Sequence, residues 1–214
     1  CVTGMILSAE LESPAQAWIE QFGGFGKGFQ PRIFDLGENR PKNPLYPYTA
    51  GKFGSGANMA FQTSVLKEIG GFDPALGPGS AAMGGEELAV FFEVVSRNYR
   101  LVYQPSAIVH HWHHRDYSTL RKIVYSYGVG LTAYLTKTLI DQPGRIPGFI
   151  ARVPHGLAYV LSTRSPKNAK KQSDYPNELT WIERKGMLAG PLAYLRSRWR
   201  LRRVRKEIIS RMSP

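Results

Sequence analysis

Cysteine and long apolar runs are almost missing from this sequence of 214 residues. Cys1 is the single cysteine, so the chain cannot form an internal disulfide, and nothing in its composition indicates an oxidising compartment. No apolar run reaches the about 18 residues that a membrane-spanning helix needs, and no signal peptide is recognisable. We therefore expect a cytoplasmic protein whose contact with a membrane, if it makes one, is peripheral and at the cytoplasmic face.

Acidic residues are scarce in the last third of the chain. Residues 141–214 hold 16 Lys and Arg against 5 Asp and Glu, whereas residues 1–140 hold 12 against 11. The formal net charge of +12 therefore comes almost wholly from the tail, which carries +11. Such a surplus predicts attraction to phosphate in nucleic acid, lipid headgroups or a phosphorylated substrate, with a merely solvated basic surface as the alternative.

The order of strand-like and helix-like segments predicts an α/β fold for residues 1–140. Residues 2–7 form an apolar, β-branched run typical of a buried strand, and residues 101–109 form another. Residues 117–140 predict a long helix, while residues 26–54 show no period and predict a long ordered loop. The chain enters its first strand at once and begins without methionine, so we expect it to be part of a longer protein.

Residues 141–214 predict a basic amphipathic extension. Residues 149–161 are apolar but too short to span a bilayer, and residues 165–178 are polar and expected to be exposed. Residues 191–212 predict a last helix with apolar residues on one side, Trp199 among them, and arginines on the other. This pattern predicts an anionic membrane surface as a partner. Nucleic acid is not expected, because base-reading and stacking motifs are lacking.

Two adjacent carboxylates follow a loop rich in glycine. Glu86 and Glu87 stand directly after residues 75–85, at the start of a helix that is apolar on most sides. A carboxylate at the mouth of a cleft can take a proton from a hydroxyl, and a neighbouring carboxylate can raise its pKa by repulsion. The alternative is structural, because the backbone dipole favours acidic residues in a first helical turn.

Four of five consecutive residues after the second strand are histidines. His111 and His113 alternate along the chain, which predicts that they share one face while His110 and Trp112 take the other. Neutral imidazole is a common ligand of transition metals, but two histidines do not complete a coordination shell. The alternative is that these are strand-end histidines held by hydrogen bonds.

Four motifs in order resemble the acceptor-binding half of the inverting family 2 glycosyltransferases, which have the GT-A fold. The resemblance covers about residues 51–117 and rests on residues 56–61, 69–73, 85–88 and 103–113. It implies the C-terminal part of a Rossmann-like GT-A domain with a mixed sheet over residues 1–140, followed by the helical basic extension. The implied reaction moves a sugar from a nucleoside diphosphate donor to a hydroxyl of a glycan or a lipid-linked acceptor.

The resemblance also implies roles for individual residues. Glu87 takes the position of the family's general base, and Glu86 is its partner. His111, with His113 as the second choice, is implied to help hold a divalent metal, manganese or magnesium, on the donor's pyrophosphate. The residues implied to bind acceptor or substrate are Gly56, Asn58, Asp73, Gly85 and Trp112.

Two departures from the family pattern stand out. Glu87 replaces the usual aspartate, which lengthens the base by one methylene group. The Asp-any-Asp motif that carries metal and nucleotide in the family is missing, and Glu10-Leu11-Glu12 comes too late in the pattern to replace it. We therefore expect the nucleotide-binding half to lie upstream of Cys1, and these 214 residues to be inactive by themselves.

Two other classes of protein compete with this interpretation. One is a non-catalytic module, either a degenerate glycosyltransferase-like domain or a basic protein that binds phosphate or membranes through its tail. The other is a histidine-metal hydrolase, for which the sequence offers no complete set of ligands.

Overall fold

The computed structural model describes residues 1–23 and 25–212. It is a mixed α/β structure, which confirms the predicted fold class at that level. The strands are β1 (Val2–Ser8), β2 (Arg32–Phe34), β3 (Met59–Ala60) and β4 (Leu101–His111). The α-helices are α1 (Pro14–Phe22), α2 (Thr63–Glu68), α3 (Glu86–Ser96), α4 (Tyr117–Asp141), α5 (Ile146–Ile150), α6 (Val153–Leu161) and α7 (Asn177–Met212).

The four strands form one mixed sheet in the order β2-β4-β1-β3. The central pair, β1 and β4, is parallel, and both edge strands run antiparallel to their neighbours. The pairing of the central strands shifts after Gly4, which lies opposite Gln104, since the next residue, Met5, lies opposite Ile108. The shift leaves three residues of β4 without partners on β1, and their backbone groups must be satisfied in another way.

Asn58 satisfies backbone groups at this irregularity. Its side-chain amide nitrogen donates to the carbonyl oxygens of Met5 and Ala107, each at 2.9 Å. The backbone carbonyl oxygen of Asn58 accepts from the backbone amide of Gly4 at 3.0 Å. One side chain thus joins β1 to β4 where their direct pairing is interrupted. This gives Asn58 a structural role beside the substrate-binding role that the resemblance implies.

The loop over residues 26–54, which was predicted to be long and ordered, contains short regular elements that were not predicted. It contains β2 and a short 3-10 turn, and it contributes the fully buried rings of Tyr46 and Phe53 to the core. Tyr46 donates from its hydroxyl to the carbonyl oxygen of Asp35 at 2.7 Å, which ties two parts of the loop together. Because aromatic residues pack without needing a period, no strand or helix pattern revealed this part of the core.

The last helix starts much earlier than predicted. It begins at Asn177 instead of near Pro191, and Pro191 lies inside it. Proline has no amide hydrogen, so the carbonyl oxygen of Met187, four residues earlier, loses its helical donor. The hydroxyl of Thr132 on α4 donates to that carbonyl at 2.7 Å, so the neighbouring helix replaces the missing bond. The prediction that residues 165–178 are exposed was also wrong in part, because Ser165, Asn168 and Tyr175 are buried.

Helices α4 and α7 approach each other at glycines. A side chain on Gly186 would collide with the carbonyl oxygen of Tyr125 and would lie 3.0 Å from the amide nitrogen of Val129. Added side chains at Gly128 and Gly190 would likewise meet the backbone of the opposite helix. The basic segment after residue 140 is therefore joined to the first 140 residues by close contact between helix backbones, since real side chains do not approach backbone so closely.

We expect Gly186→Ala to lower the free energy of unfolding by about 1–3 kcal/mol or more, because the new methyl group must push two backbones apart. The matched control is Gly156→Ala in α6, where an added Cβ lies 4.0 Å from the nearest atom, Cδ2 of Leu45. Alanine there should leave stability unchanged or raise it by up to about 1 kcal/mol through helix propensity. Chemical denaturation followed by circular dichroism measures both. Equal stabilities of the two variants would contradict the close crossing.

Candidate functional site

The two glutamates lie where the prediction placed them, in the first turn of α3. Gly85 precedes the helix with a left-handed backbone (φ 94°), and a side chain there would collide with the carbonyl oxygen of Gly130 on α4. Glycine is required at this position for both reasons. The start of α3 is therefore pressed against α4, and this contact determines where Glu86 and Glu87 lie.

Glu87 lies beneath the loop that precedes β3. The Cβ and Cγ atoms of Glu87 lie 3.6 Å from the position that a side chain on Gly56 would occupy. Glu86 faces Gly77 in the same way, with its carboxyl carbon 3.3 Å from that glycine's Cβ position. Within the part of the chain that the structure describes, the buried Oε2 atom of Glu86 has no hydrogen-bond partner. Two glycine-bearing loops thus cover the pair of carboxyl groups.

Burial of Glu87 raises the pKa of its carboxyl group from 4.5 to about 7. The charge of Glu86 and a hydrogen bond with that neighbour add to the increase, while backbone amides of the first helical turn oppose it. A carboxylate with a pKa near neutral pH is better suited to accept a proton than an ordinary surface glutamate. Two glutamates that only stabilise a helix N-terminus would not need this raised pKa.

The segment before α3 is held against α7. The hydroxyl of Ser197 accepts a hydrogen bond from the amide of Ala81 at 2.9 Å, and the hydroxyl of Tyr194 donates to Asp73 at 2.9 Å. Asp73 also accepts from the amide of Ala75 at 2.8 Å. Both oxygens of Asp73 are thus engaged within the protein, and its predicted contact with acceptor or substrate stays a prediction.

The structure brings His111 and His113 together, as the alternation predicted. Their ring centroids are 5.1 Å apart, and the ring of Phe25 contacts both, at 4.7 Å and 5.6 Å. Strand β4 ends at His111, so the pairing comes from the turn after the strand as well as from the strand itself. Trp112 points elsewhere and is 68% exposed, which leaves its predicted role in binding substrate untested.

The two histidines have different surroundings. Nε2 of the buried His113 lies 2.8 Å from Oε1 of Glu20, and the hydroxyl of Ser8 donates to the same oxygen at 2.9 Å. Nδ1 of His111 is buried and has no partner among the described residues. Burial, followed by the neighbouring charges of His113 and His114, lowers the pKa of His111, so its ring stays neutral near pH 7. His111 therefore differs from His113 in having a buried ring nitrogen that no described residue contacts by a hydrogen bond.

A small cavity of about 30 Å³ adjoins these histidines. It has room for about two water molecules and not for a sugar. Tyr127 of α4 forms one wall, and its pKa is raised to about 12 by burial and then by the negative charges of Glu87 and Glu20. Tyr127 therefore lies within electrostatic reach of both the carboxylate pair and the histidine pair, although these pairs are far apart in sequence.

The histidines do not by themselves make a metal site. Over residues 1–23 and 25–212, no group of three or more His, Cys, Asp or Glu side chains is arranged to hold an ion. Nε2 of His113 is already paired with Glu20, so Nδ1 of His111 is the unpartnered buried nitrogen of this histidine pair. A manganese or magnesium ion thus remains a prediction of the sequence resemblance, and its other ligands would have to come from elsewhere.

In the described part of the chain, no helix combines the length and the apolar character needed to cross a membrane.

A basic surface with an apolar stripe lies on α7, opposite the face that packs on α4. The stripe follows helical spacing, and each of its side chains is about half exposed or more. We call it the α7 stripe, and its residues are Trp181, Leu188, Leu192, Leu195 and Trp199.

Glu20, Tyr127 and Phe25 are parts of the site that sequence reasoning missed. Glu20 lies four residues after Gln16 on α1, and the side-chain amide of Gln16 donates to the carbonyl oxygen of His113 at 3.1 Å. That spacing puts both polar residues on one helix face, which is a detectable signal. For Tyr127 and Phe25 we see no such signal, because their positions depend on contacts between distant segments.

Comparisons with known proteins do not identify a family. No family model matches the chain, and neither a curated protein nor a solved structure matches it.

The raised pKa of Glu87 predicts a specific dependence of stability on pH. The folded protein keeps a proton that the unfolded chain releases near pH 4.5, so stability falls as pH rises from about 4.5 to 7. We expect Glu87→Gln, which stays neutral, to be more stable than the wild type by about 1–3 kcal/mol at pH 8, with little difference at pH 4. Urea denaturation across this range measures it.

The control for this experiment is Glu38→Gln, which changes an exposed carboxylate in the loop before Tyr46. Its effect on stability should be small and should not follow the pH profile of Glu87→Gln. A stability difference for Glu87→Gln that stays constant from pH 4 to pH 8 would show that Glu87 titrates like an ordinary glutamate.

Proposed function

We propose that this chain is the acceptor-side part of an inverting glycosyltransferase of the GT-A type, with Glu87 as the general base. The observation that carries the proposal is the partly buried Glu87 with a pKa near 7, next to Glu86 at the start of α3. The four ordered motifs give this site its reaction class by resemblance, and the mixed sheet is compatible with the implied fold.

In the proposed reaction, an acceptor hydroxyl attacks the anomeric carbon of the donor sugar from the side opposite the nucleoside diphosphate. The new carbon–oxygen bond forms while the bond to the leaving phosphate breaks, and its electron pair leaves with the nucleoside diphosphate. Glu87 takes the proton of the attacking hydroxyl, which becomes more acidic as its oxygen forms the new bond. A single displacement inverts the configuration at the anomeric carbon.

The surroundings of Glu87 suit this role. Burial and the adjacent Glu86 raise its proton affinity, so that it accepts a proton near neutral pH. Gly56 lies beside the methylene groups of Glu87, which are 3.6 Å from the position of an added Cβ, an ordinary contact distance.

The proposed partners are a nucleoside diphosphate sugar and a glycan or lipid-linked acceptor. A divalent metal is part of the proposal only as the group that would neutralise the leaving pyrophosphate. Nδ1 of His111, which is buried and has no partner among the described residues, would be available to hold it.

A second candidate function is a non-catalytic module that binds anionic membranes. The α7 stripe favours it, because apolar side chains that are about half exposed or more lie beside basic residues such as Lys185 and Arg196. Such a helix lies in the interface of a bilayer, with its apolar face inserted and its cations near the headgroups. This function is compatible with the first one, since a transferase acting on a lipid-linked acceptor works at that surface.

The catalytic proposal predicts the effect of changing Glu87 on glycosyl transfer. Glu87→Gln keeps the size of the side chain but removes its ability to accept a proton, so turnover should fall by about 10²–10⁴. Glu86→Gln should have a smaller effect, and Glu87→Asp should keep substantial activity. Product formation is measured at saturating donor, and melting temperatures exclude unfolding. Undiminished turnover in Glu87→Gln would remove Glu87 from the mechanism.

The membrane proposal predicts that the α7 stripe controls binding to anionic vesicles. Changing Leu188, Leu192 and Trp199 together to serine should weaken binding to vesicles containing phosphatidylserine at least about tenfold, because each side chain loses its apolar burial. A deletion of residues 190–214 would not test the α7 stripe alone, because it would also remove the buried Tyr194. The control is Leu11→Ser, an exposed leucine outside α7. Equal flotation of both variants would exclude the stripe as the binding surface.

A further inference from the structure

A second concave site lies away from the carboxylates and the histidines. It is a pocket of about 260 Å³ between the loop around residues 36–48 and the connection from α4 to α6. It shares no lining residue with the histidine cavity, and neither glutamate of α3 contributes to it. Its lining residues are Leu36, Arg40, Tyr46, Pro47, Tyr48, Gly144, Arg145, Gly148 and Arg152. We call it the arginine pocket.

Two of its three arginines are held in place by neutral groups. Nε of Arg152 donates to the carbonyl oxygen of Pro44 at 3.0 Å, and its Nη1 donates to that of Gly148 at 2.6 Å. Nε of Arg145 donates to the side chain of Gln142, and its guanidinium lies 5.2 Å from the ring centre of Phe92. These contacts fix both side chains but leave Nη2 of Arg152 and both terminal nitrogens of Arg145 available.

The third arginine has no anchor. Across the described residues, the side chain of Arg40 has no hydrogen bond or ion pair, and it is exposed at the rim of the pocket. It can therefore move toward a ligand without breaking a contact, and all five of its N–H groups are available.

No carboxylate of the described chain neutralises this cluster. None of the lining residues is acidic, and no ion pair involves Arg40, Arg145 or Arg152. Two acids lie near the cluster, and both are paired with other arginines. Gln142 links Arg145 to Glu93, whose other carboxylate oxygen is paired with Arg97 at 3.2 Å. Asp35, whose carbonyl oxygen accepts from Tyr46, is paired with Arg100 at 3.7 Å. Three cations around one concavity repel each other, and an anion in the pocket would relieve that repulsion.

The size and the donors of the pocket indicate the class of anion. Pockets for drug-sized ligands have volumes of about 300–1,000 Å³, so a space of about 260 Å³ suits one phosphate or pyrophosphate group better than a whole nucleotide sugar. Guanidinium groups match phosphate oxygens by paired hydrogen bonds. We propose that the arginine pocket binds the phosphate group of a phosphate ester or a pyrophosphate. This proposal does not depend on the role of Glu87.

Two sources could supply such a phosphate group, and the structure contains a feature relevant to each. The pocket is open to small soluble anions at its Arg40 rim. Its other wall belongs to α5 and the start of α6, where Ile146, Ile150 and Val153 are exposed and could lie on a lipid surface. The test therefore has a soluble arm and a lipid arm.

In the soluble arm, isothermal titration with inorganic pyrophosphate compares the wild type with Arg40→Gln, Arg145→Gln and Lys42→Gln. Lys42 is an exposed cation in the same loop that does not line the pocket, so it matches Arg40 in charge and environment. We expect each arginine variant to bind at least about tenfold more weakly, as for the loss of a charge-assisted hydrogen bond. Lys42→Gln should change the affinity less than about twofold.

In the lipid arm, the same four proteins are floated with vesicles of phosphatidylcholine containing phosphatidic acid, and with vesicles of matched surface charge containing phosphatidylserine. A lipid phosphate in the pocket predicts a preference for phosphatidic acid that Arg40→Gln and Arg145→Gln remove and Lys42→Gln keeps. Selective loss in either arm supports the pocket and identifies the source. Failure of both arms to separate the arginine variants from Lys42→Gln, with all proteins folded by circular dichroism, would overturn the proposal.

Discussion

The rest of the structure depends on one turn of α4, from Tyr127 to Gly130, where backbone meets backbone on two sides. Gly128 allows α7 to approach from one side, and Gly130 lies against Gly84 and Gly85 at the start of α3 on the other. Glycines permit this because they have no Cβ to hold the segments apart. The same turn carries Tyr127, whose pKa is raised by burial and by the charges of Glu87 and Glu20. A single close crossing thus positions the basic helix and the carboxylate pair together.

This arrangement places Tyr127 within electrostatic reach of both chemical clusters. Glu87 starts a buried helix, whereas His111 ends a central strand, and the chain between them forms α3 and β4. The parallel pairing of β4 with β1 brings His111 beside Ser8, and α1 then supplies Glu20 to His113. Helix α4 closes the gap with Tyr127. The histidine pair is therefore assembled from separate elements at the carboxyl ends of the two central strands, as is common where loops meet at strand ends.

The positive charge of the basic segment lies on two different kinds of surface. The arginines of α7 surround a surface suited to an anionic interface, whereas Arg145 and Arg152 are fixed by neutral partners around a concavity. Both surfaces favour phosphate, but one presents exposed apolar side chains and the other presents directed N–H groups. The net charge of the tail contributes to both, so only the geometry distinguishes the proposed membrane surface from the proposed phosphate pocket.

The sequence by itself determined the elements whose signals are local: the strand after Cys1, the helix at Glu86 and the long helix at Tyr117 all appear as predicted. It also placed Glu87 at a helix start and His111 beside His113, because spacing along one element decides these positions. Only the tertiary structure decided the rest. The start of α7 at Asn177, the bridging by Asn58, the roles of Glu20 and Tyr127 and the convergence of three arginines all depend on contacts between residues distant in sequence. Such contacts follow from packing, which no local pattern records.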